Sequence, residues 1–436
     1  MTRSYEPWGR YPRRAQRART LRWADDITID SGPALPFGNG RSYGDSCLNS
    51  QGELLDTRGL DRFIHFDSQR GRLRCEAGVL LAEILRLVVP RGWFLPVTPG
   101  TQFVTVGGAI ANDVHGKNHH RAGTFARHVQ CLELVRSDGS RRRCSATENP
   151  TWFAATVGGL GLTGVIAWAE LQLQPVANPW ISQEVIRFHD LGDFFALSAA
   201  SHRDYRYTVA WVDCLARGDQ LGRGLFIRGN HAPALAARQP SAPGLGLDVP
   251  IAPPLSLINH LSLRLFNTTY FYARPTRQRS IQHYQPFFYP LDKILRWNRI
   301  YGPRGFLQYQ CVVPADDGHA AIGEILRRIS ADGHGSFLAV LKEFGDIPSP
   351  GLLSFPRPGV TLALDFPFRG QATLDLLTAL DERVEAAGGA VYPAKDARMS
   401  ARHFQRFFPR WEHFGQFLDP RLGSDFWRRV TGDNHA

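Results

Sequence analysis

Residues 98–120 read TPGTQFVTVGGAIANDVHGKNHH, a glycine-punctuated run that turns polar and histidine-rich over its last positions. Two pieces of the same texture flank it in sequence, GNGRSYGD at 38–45 and VGGLGLTGVI at 157–166. In the first, Gly38, Gly40 and Gly44 let backbone N–H groups approach an anion while Arg41 and Ser42 add side-chain donors, the requirements of a pyrophosphate cradle. Any one piece alone reads equally well as a pair of tight turns. Three of them in one N-terminal region point to a phosphate-bearing ligand.

Gly159 to Gly164 also satisfies GxGxxG, whose dinucleotide-binding form needs a strand before it, a helix after it and an acidic residue about 20 positions on. The order here is reversed. TWFAATV, opened by Asn149-Pro150 and stopped by Gly158-Gly159, is a short helix that precedes the glycines. VIAWAELQLQPV follows as a strand with Leu171 and Leu173 on one face, and PVANPWIS stands where the acid belongs. The Rossmann reading is therefore excluded. His115, His119 and His120 invite a metal, but Gly116 and Asn118 disfavour the helix that would align HxxxH, and no Cys or Glu is adjacent, so no metal site is expected.

The chain has 436 residues, 43% hydrophobic and 21% charged, which is the composition of a globular enzyme of two large domains and excludes disordered, collagen-like and disulfide-scaffold classes. Six cysteines without CxxC spacing are expected as reduced, mostly buried thiols. Arg13-Arg14 is not followed by an apolar segment, and no run approaches the ~18 apolar residues of a membrane span, so a cytoplasmic protein is expected. The net charge of +11 favours anionic partners. No zinc-finger, helix-turn-helix or RNP signature accompanies it, so no nucleic acid is expected, whereas the arginines of 13–22 are candidates for a peripheral contact with an anionic inner-membrane surface. Only Lys117, Lys293, Lys342 and Lys395 are lysines, against 47 arginines. An exchangeable surface cation in this chain is thus nearly always Arg, and each Lys marks a place where a compact, titratable ammonium is wanted.

Residues 1–177 are dense in glycine turns between short apolar runs and read as α+β. From 178 the texture changes to strands such as YTVAWVD (207–213), FLQYQCVVP (306–314) and VTLALDFPF (360–368), followed by an amphipathic helix over 371–387. The Pro- and Ala-rich stretch 231–254 predicts a mobile lid or a disordered loop. The tail, 390–436, is too short for a domain and is expected to pack back on one of the others.

GNGRSYGD, TPGTQFVTVGGAIANDVHGKNHH, ATVGGLGLTGVI, WNRIYGPRGFLQYQCVVP and VYPAKDAR together resemble the decaprenylphosphoryl-β-D-ribose 2′-oxidase family, a branch of the vanillyl-alcohol-oxidase-type FAD enzymes. The resemblance runs in order through nearly the whole chain. It implies a PCMH-type, two-subdomain FAD-binding domain (1–177, with 390–436 returning to it) and an antiparallel-sheet substrate domain (178–389). Carried over by motif, the cofactor side comprises Gly38, Asn39, Gly40, Arg41, Ser42, Tyr43, Gly44, Asp45, Gly100, Thr105, Val106, Gly107, Gly108, Asn112, Asp113, Val114, His115, Ile166 and Tyr392. Lys395 and His115 would be catalytic, with Lys117, Trp211, Gln308, Gln310 and Lys342 on the substrate side.

Arg41 stands where related oxidases carry a tethering His, and Thr101-Gln102 supply no thiol, so FAD is expected to be non-covalent. Asn112 and Ala363 stand where mycobacterial members have Cys, and Thr361 where they have Asn. The implied reaction is oxidation of the 2′-hydroxyl of a polyprenyl-phosphoryl ribose to the 2′-keto sugar, the first half of an epimerisation that a separate short-chain reductase completes. Lys395 suits either stabilisation of charge on the flavin or proton abstraction, and the sequence leaves both open. Two rival readings are an oxidase of a soluble sugar, alditol or lactone, and a non-catalytic flavin-binding subunit of a polysaccharide-assembly complex.

Overall fold

The computed structural model describes residues 5–432 apart from 31, 234–246, 255, 257 and 334, so most of the expected lid lies outside the described residues. Three parallel strands, Arg17–Thr20, Ala34–Phe37 and Glu53–Asp56, form a small N-terminal sheet. The next sheet has five antiparallel strands, ordered Phe63–Asp67, Arg72–Glu76, Val165–Gln172, Val129–Val135, Arg141–Cys144. Helix Leu81–Val88 turns Leu81, Ile84, Leu85 and Val88 inward, the i, i+3, i+4, i+7 stripe of a core-facing helix. As the sequence predicts, a short helix, Pro150–Thr156, precedes the GxGxxG turn and the Val165–Gln172 strand follows it.

The remainder is built on one eight-stranded sheet. Its strands include Trp180–Phe188, Tyr207–Val212, Gly224–His231, Phe306–Val313, Val340–Phe344 and Gly359–Pro367, all antiparallel to their neighbours. Side chains alternate between faces, and the alternation decides where the chemistry goes. Leu307, Tyr309, Cys311 and Val313 of one strand, with Val360, Leu362, Leu364 and Phe366 of its neighbour, enter the main core together with Ile322, Ile325, Leu326 and Ile329 of helix Ala315–Asp332 and Leu376, Leu377, Leu380 and Val384 of helix Gln371–Ala386. Gln308, Gln310, Thr361, Ala363 and Asp365, which lie between them, point the other way.

The tail touches both units. Ala390–Val391 is an edge strand of the large sheet, paired through Cys311 and Val391. Beyond it, helix Asp425–Thr431 turns to the N-terminal loops, where Arg429 reaches Asp45 at 2.7 Å and Asp425 accepts from Ser50. All six cysteines are free.

Candidate active site

A cavity of about 460 Å³ lies between the glycine turns and the outward face of the large sheet. That is within the range of small-molecule and cofactor sites. At one end it is lined by Gly38 to Tyr43, Gly100, Thr105, Gly107, Gly108, Asn112, Val114, Gly161, Gly164 and Ile166. The turns are set by their own packing. Thr105 caps the Val106–Ala111 helix by accepting from the Gly108 N–H, and a Cβ on Gly38 would stand 2.4 Å from that same Thr105 oxygen. Asn39 donates to the Phe103 carbonyl at 2.8 Å, tying the first glycine piece to the second. Gly100 has open space where a side chain would be, on the cavity wall.

Four residues expected on this side do not line the cavity. Gly44 packs so closely on the tail that a Cβ would sit 1.9 Å from the Asp396 carbonyl. Asp45 faces away and, with Asp396, holds Arg429. Val106 belongs to the core. Asp113, at φ 39°, accepts from Ser354 at 2.6 Å and from the Ala126 N–H, and its burial pushes the carboxyl up to about 6. These positions shape the loops and contribute no surface to the site.

The opposite end is made of side chains. Trp211, Gln308, Gln310, Lys342, Thr361, Ala363 and Asp365 all face the cavity, from four strands whose register places Gln308 beside Asp365, Gln310 beside Ala363 and Lys342 beside Thr361. Lys395 and Tyr392 arrive from the tail, anchored by the Tyr392 N–H on the Gln310 carbonyl and by the Tyr392 hydroxyl on the Asn112 carbonyl at 2.7 Å. Lys117 donates to the Phe287 carbonyl. Three of the four lysines thus meet in one cavity, while Lys293 is exposed on the surface.

His115 sits at the centre of a buried network. Gln310 Nε2 lies 2.9 Å from His115 Nε2 and donates to Thr361 Oγ1 at 3.0 Å. Lys342 Nζ lies 2.9 Å from His115 Nδ1 and donates to the Gly116 carbonyl at 3.0 Å. Burial, reinforced by Lys342 and Lys395, holds His115 well below the usual histidine range, so the ring is neutral and carries one proton. A neutral ring has one donor and one acceptor nitrogen, and Gln310 and Lys342 stand one at each. Burial, Lys395 and Lys117 push Lys342 well below the lysine range in turn.

Lys395 and Lys117 are each pushed down to about 8 by burial, and Asp365 opposes that shift at Lys395. Asp365 was not expected from the sequence. It is fully buried, accepts from Gln308 Nε2 at 2.6 Å and from the Tyr301 hydroxyl at 3.3 Å, and is pushed up to about 6 by desolvation. A lone acid inside the apolar strand sequence LALDF is the signal that would have found it. Asp292, which accepts from the Gln102 N–H at 2.9 Å and faces Arg41, was missed as well. His119 and His120 lie outside the cavity, on a short His119–Ala122 helix that begins only after Asn118. His119 packs on Phe344 and His120 bonds the Tyr205 carbonyl.

Comparison with known proteins places this geometry. Residues 14–145 match the family model described as an FAD binding domain. The chain is 37% identical to the decaprenylphosphoryl-β-D-ribose oxidase of Mycolicibacterium smegmatis over 90% of its own length and 88% of the relative's. It is 36% identical to an uncharacterized Streptomyces coelicolor protein, over 81% of this chain and all of the relative. Human Δ(24)-sterol reductase is 32% identical over 35% of the chain and 29% of that protein. The cofactor is FAD, and the residues present fit it: Gly38, Gly40, Gly100, Gly107 and Gly108 put bare backbone on the cavity wall for phosphates, and the buried cations stand at the far end. By the extent of the M. smegmatis match and by the FAD domain within it, the chain belongs to the decaprenylphosphoryl-β-D-ribose oxidase family of FAD-dependent oxidoreductases.

Proposed function

We propose that the protein oxidises the 2′-hydroxyl of a polyprenyl-phosphoryl-β-D-ribose, or a closely similar lipid-linked pentose, to the 2′-keto sugar. A separate reductase would complete the epimerisation to the arabinose form used in cell-wall polysaccharide. The observation that carries this reading is the convergence of Lys117, Lys342 and Lys395 with Gln308 and Gln310 on one cavity that ends in glycine turns. A sugar needs the amides, a phosphate needs the cations, and the relative named for that substrate matches along nearly its whole length.

Residues 38–43, Gly100, Thr105, Gly107, Gly108, Asn112, Val114, Ile166 and Tyr392 would hold FAD, which supplies the acceptor for the hydride leaving the sugar carbon. Lys395, as the ammonium, would stabilise the negative charge that the hydride brings to its acceptor. His115 would receive the hydroxyl proton at Nε2, which the sugar hydroxyl takes over from the Gln310 amide, while Lys342 holds the ring at Nδ1. Lys117 balances the phosphate, and Trp211 walls the sugar. FAD is bound without a covalent link: Cys47 is the thiol on the cavity wall, and burial pushes it up to about 12, far from a reactive thiolate.

Anaerobic reduction of the flavin tests the reading. A short-chain isoprenyl-phosphoryl ribose should bleach it far faster than ribose or alditols, with an advantage that shrinks as salt screens the phosphate. Equal bleaching by free sugars without salt dependence would make the protein a soluble-sugar oxidase.

A further inference from the structure

The helix His260–Tyr272 is apolar on two opposite sides. Leu263, Asn267 and Phe271 are buried, and Phe271 packs with Val185, Trp211 and Leu225 of the large sheet. The other side carries Leu261, Leu265 and Tyr272 at 77%, 71% and 53% exposure, spaced i, i+4, i+11 on one stripe, with Phe266 beside them. Scattered exposed leucines need no explanation, but a stripe of them on one helix does.

Charge indicates what covers it. From Val249 to Leu291 there is no Asp or Glu, while Arg264, Arg274, Arg277 and Arg279 fall within the stretch. A chain with 40 acids in 436 residues would place about four there if they were spread evenly. Arg264 is exposed between Leu261 and Leu265, and Arg277 and Arg279, both exposed, share the single carboxylate of Glu184. An apolar stripe flanked by arginines and free of acids is the footprint of a helix lying in an anionic lipid interface. The stripe is also one helix away from the active site. Tyr270 lines the cavity and packs on Trp211 at 4.8 Å, and Phe266 stacks on Tyr270 at 5.5 Å.

We propose that the His260–Tyr272 helix docks the protein on an anionic lipid surface, with Leu261, Leu265 and Tyr272 at the acyl boundary and Arg264 and Arg274 among the headgroup phosphates. This places the membrane contact here, and not along the 13–22 arginines. A role in handing lipid-linked sugar to the cavity rests on the function proposed above. Lipid binding itself does not.

The test is co-sedimentation of the full-length, flavin-loaded protein with vesicles of phosphatidylcholine alone or of equal parts phosphatidylcholine and phosphatidylglycerol. The expected result is binding to the anionic vesicles only, weakened by salt, and reduced about tenfold or more by the double substitution Leu261→Asp/Leu265→Asp at unchanged flavin content and circular dichroism. Wild type that stays in the supernatant, or a double variant that binds as well, would overturn the proposal. So would a dimer that the double variant dissociates while neither protein binds vesicles, which would make the stripe a contact with a second copy. No substrate enters the assay, so its failure leaves the proposed reaction standing.

Discussion

The two ends of the cavity are made of different material. The glycine end is backbone drawn from short contiguous stretches, with Asp45 and Asp113 turned away into ion pairs and hydrogen bonds elsewhere. The sheet end is side chains from four strands and the tail, with three lysines and the carboxylate of Asp365, which faces Lys395. A backbone cradle offers fixed donors at no cost in side-chain ordering, which suits a permanent cofactor. Buried titratable groups are expensive to keep and are found where charge must develop during a reaction. Binding and reactivity are therefore separable along this cavity, and substitutions at the two ends should fail in different ways.

The largest effect is expected at Lys395. Lys395→Ala should retain FAD and lose about 100- to 1000-fold in the rate of flavin reduction, the usual result of removing one preorganised charge from a dry site. Stopped-flow reduction of the flavin-loaded variant measures it, and near-normal reduction would show that the sheet end does not carry the chemistry. Gly38→Ala should do the reverse. Its new Cβ would press on Thr105 Oγ1, so the capped turn must shift and flavin affinity should fall roughly tenfold, while reduction per bound flavin stays near wild type. Acid precipitation of the wild type, leaving all its flavin in the supernatant, sets the reference for that measurement. A Gly38→Ala enzyme with tight flavin and slow reduction would break the division between the ends.

The same division explains what could be read from the chain. The glycine pieces are legible because neighbours in sequence are neighbours in the cradle, and the strands at 207–212, 306–313 and 359–367 fall where their composition places them. Motif membership does not say which way a residue faces. Gly44 and Asp45 sit inside GNGRSYGD, yet both serve the packing of the tail against the N-terminal loops. Lys342, Gln308 and Gln310 were placed by family resemblance, since nothing in their local spacing shows that they share a cavity. The register that puts Gln308 beside Asp365 links residues 57 positions apart, a pairing that alternation within either strand cannot supply. Asp365 escaped for that reason.

The smallest effect is the most specific test of the sheet end, because it asks whether one buried carboxylate tunes another group's proton. Burial lowers Lys395 to about 8, and Asp365 is the charge that opposes the fall. Asp365→Asn keeps an oxygen to accept from Gln308 and removes the charge, so it takes away a contribution that raises Lys395 and must move that lysine further down. If Lys395 acts as the ammonium, flavin reduction in the wild type declines as pH rises through about 8, and in Asp365→Asn the same decline begins at lower pH. At pH 6 the two enzymes should differ little, and the gap should open to several-fold near pH 8. Were Lys395 a proton acceptor, both profiles would rise with pH and the Asn variant would gain activity earlier, the opposite sign. Identical profiles would mean that Asp365 serves only to fix Gln308 and Tyr301.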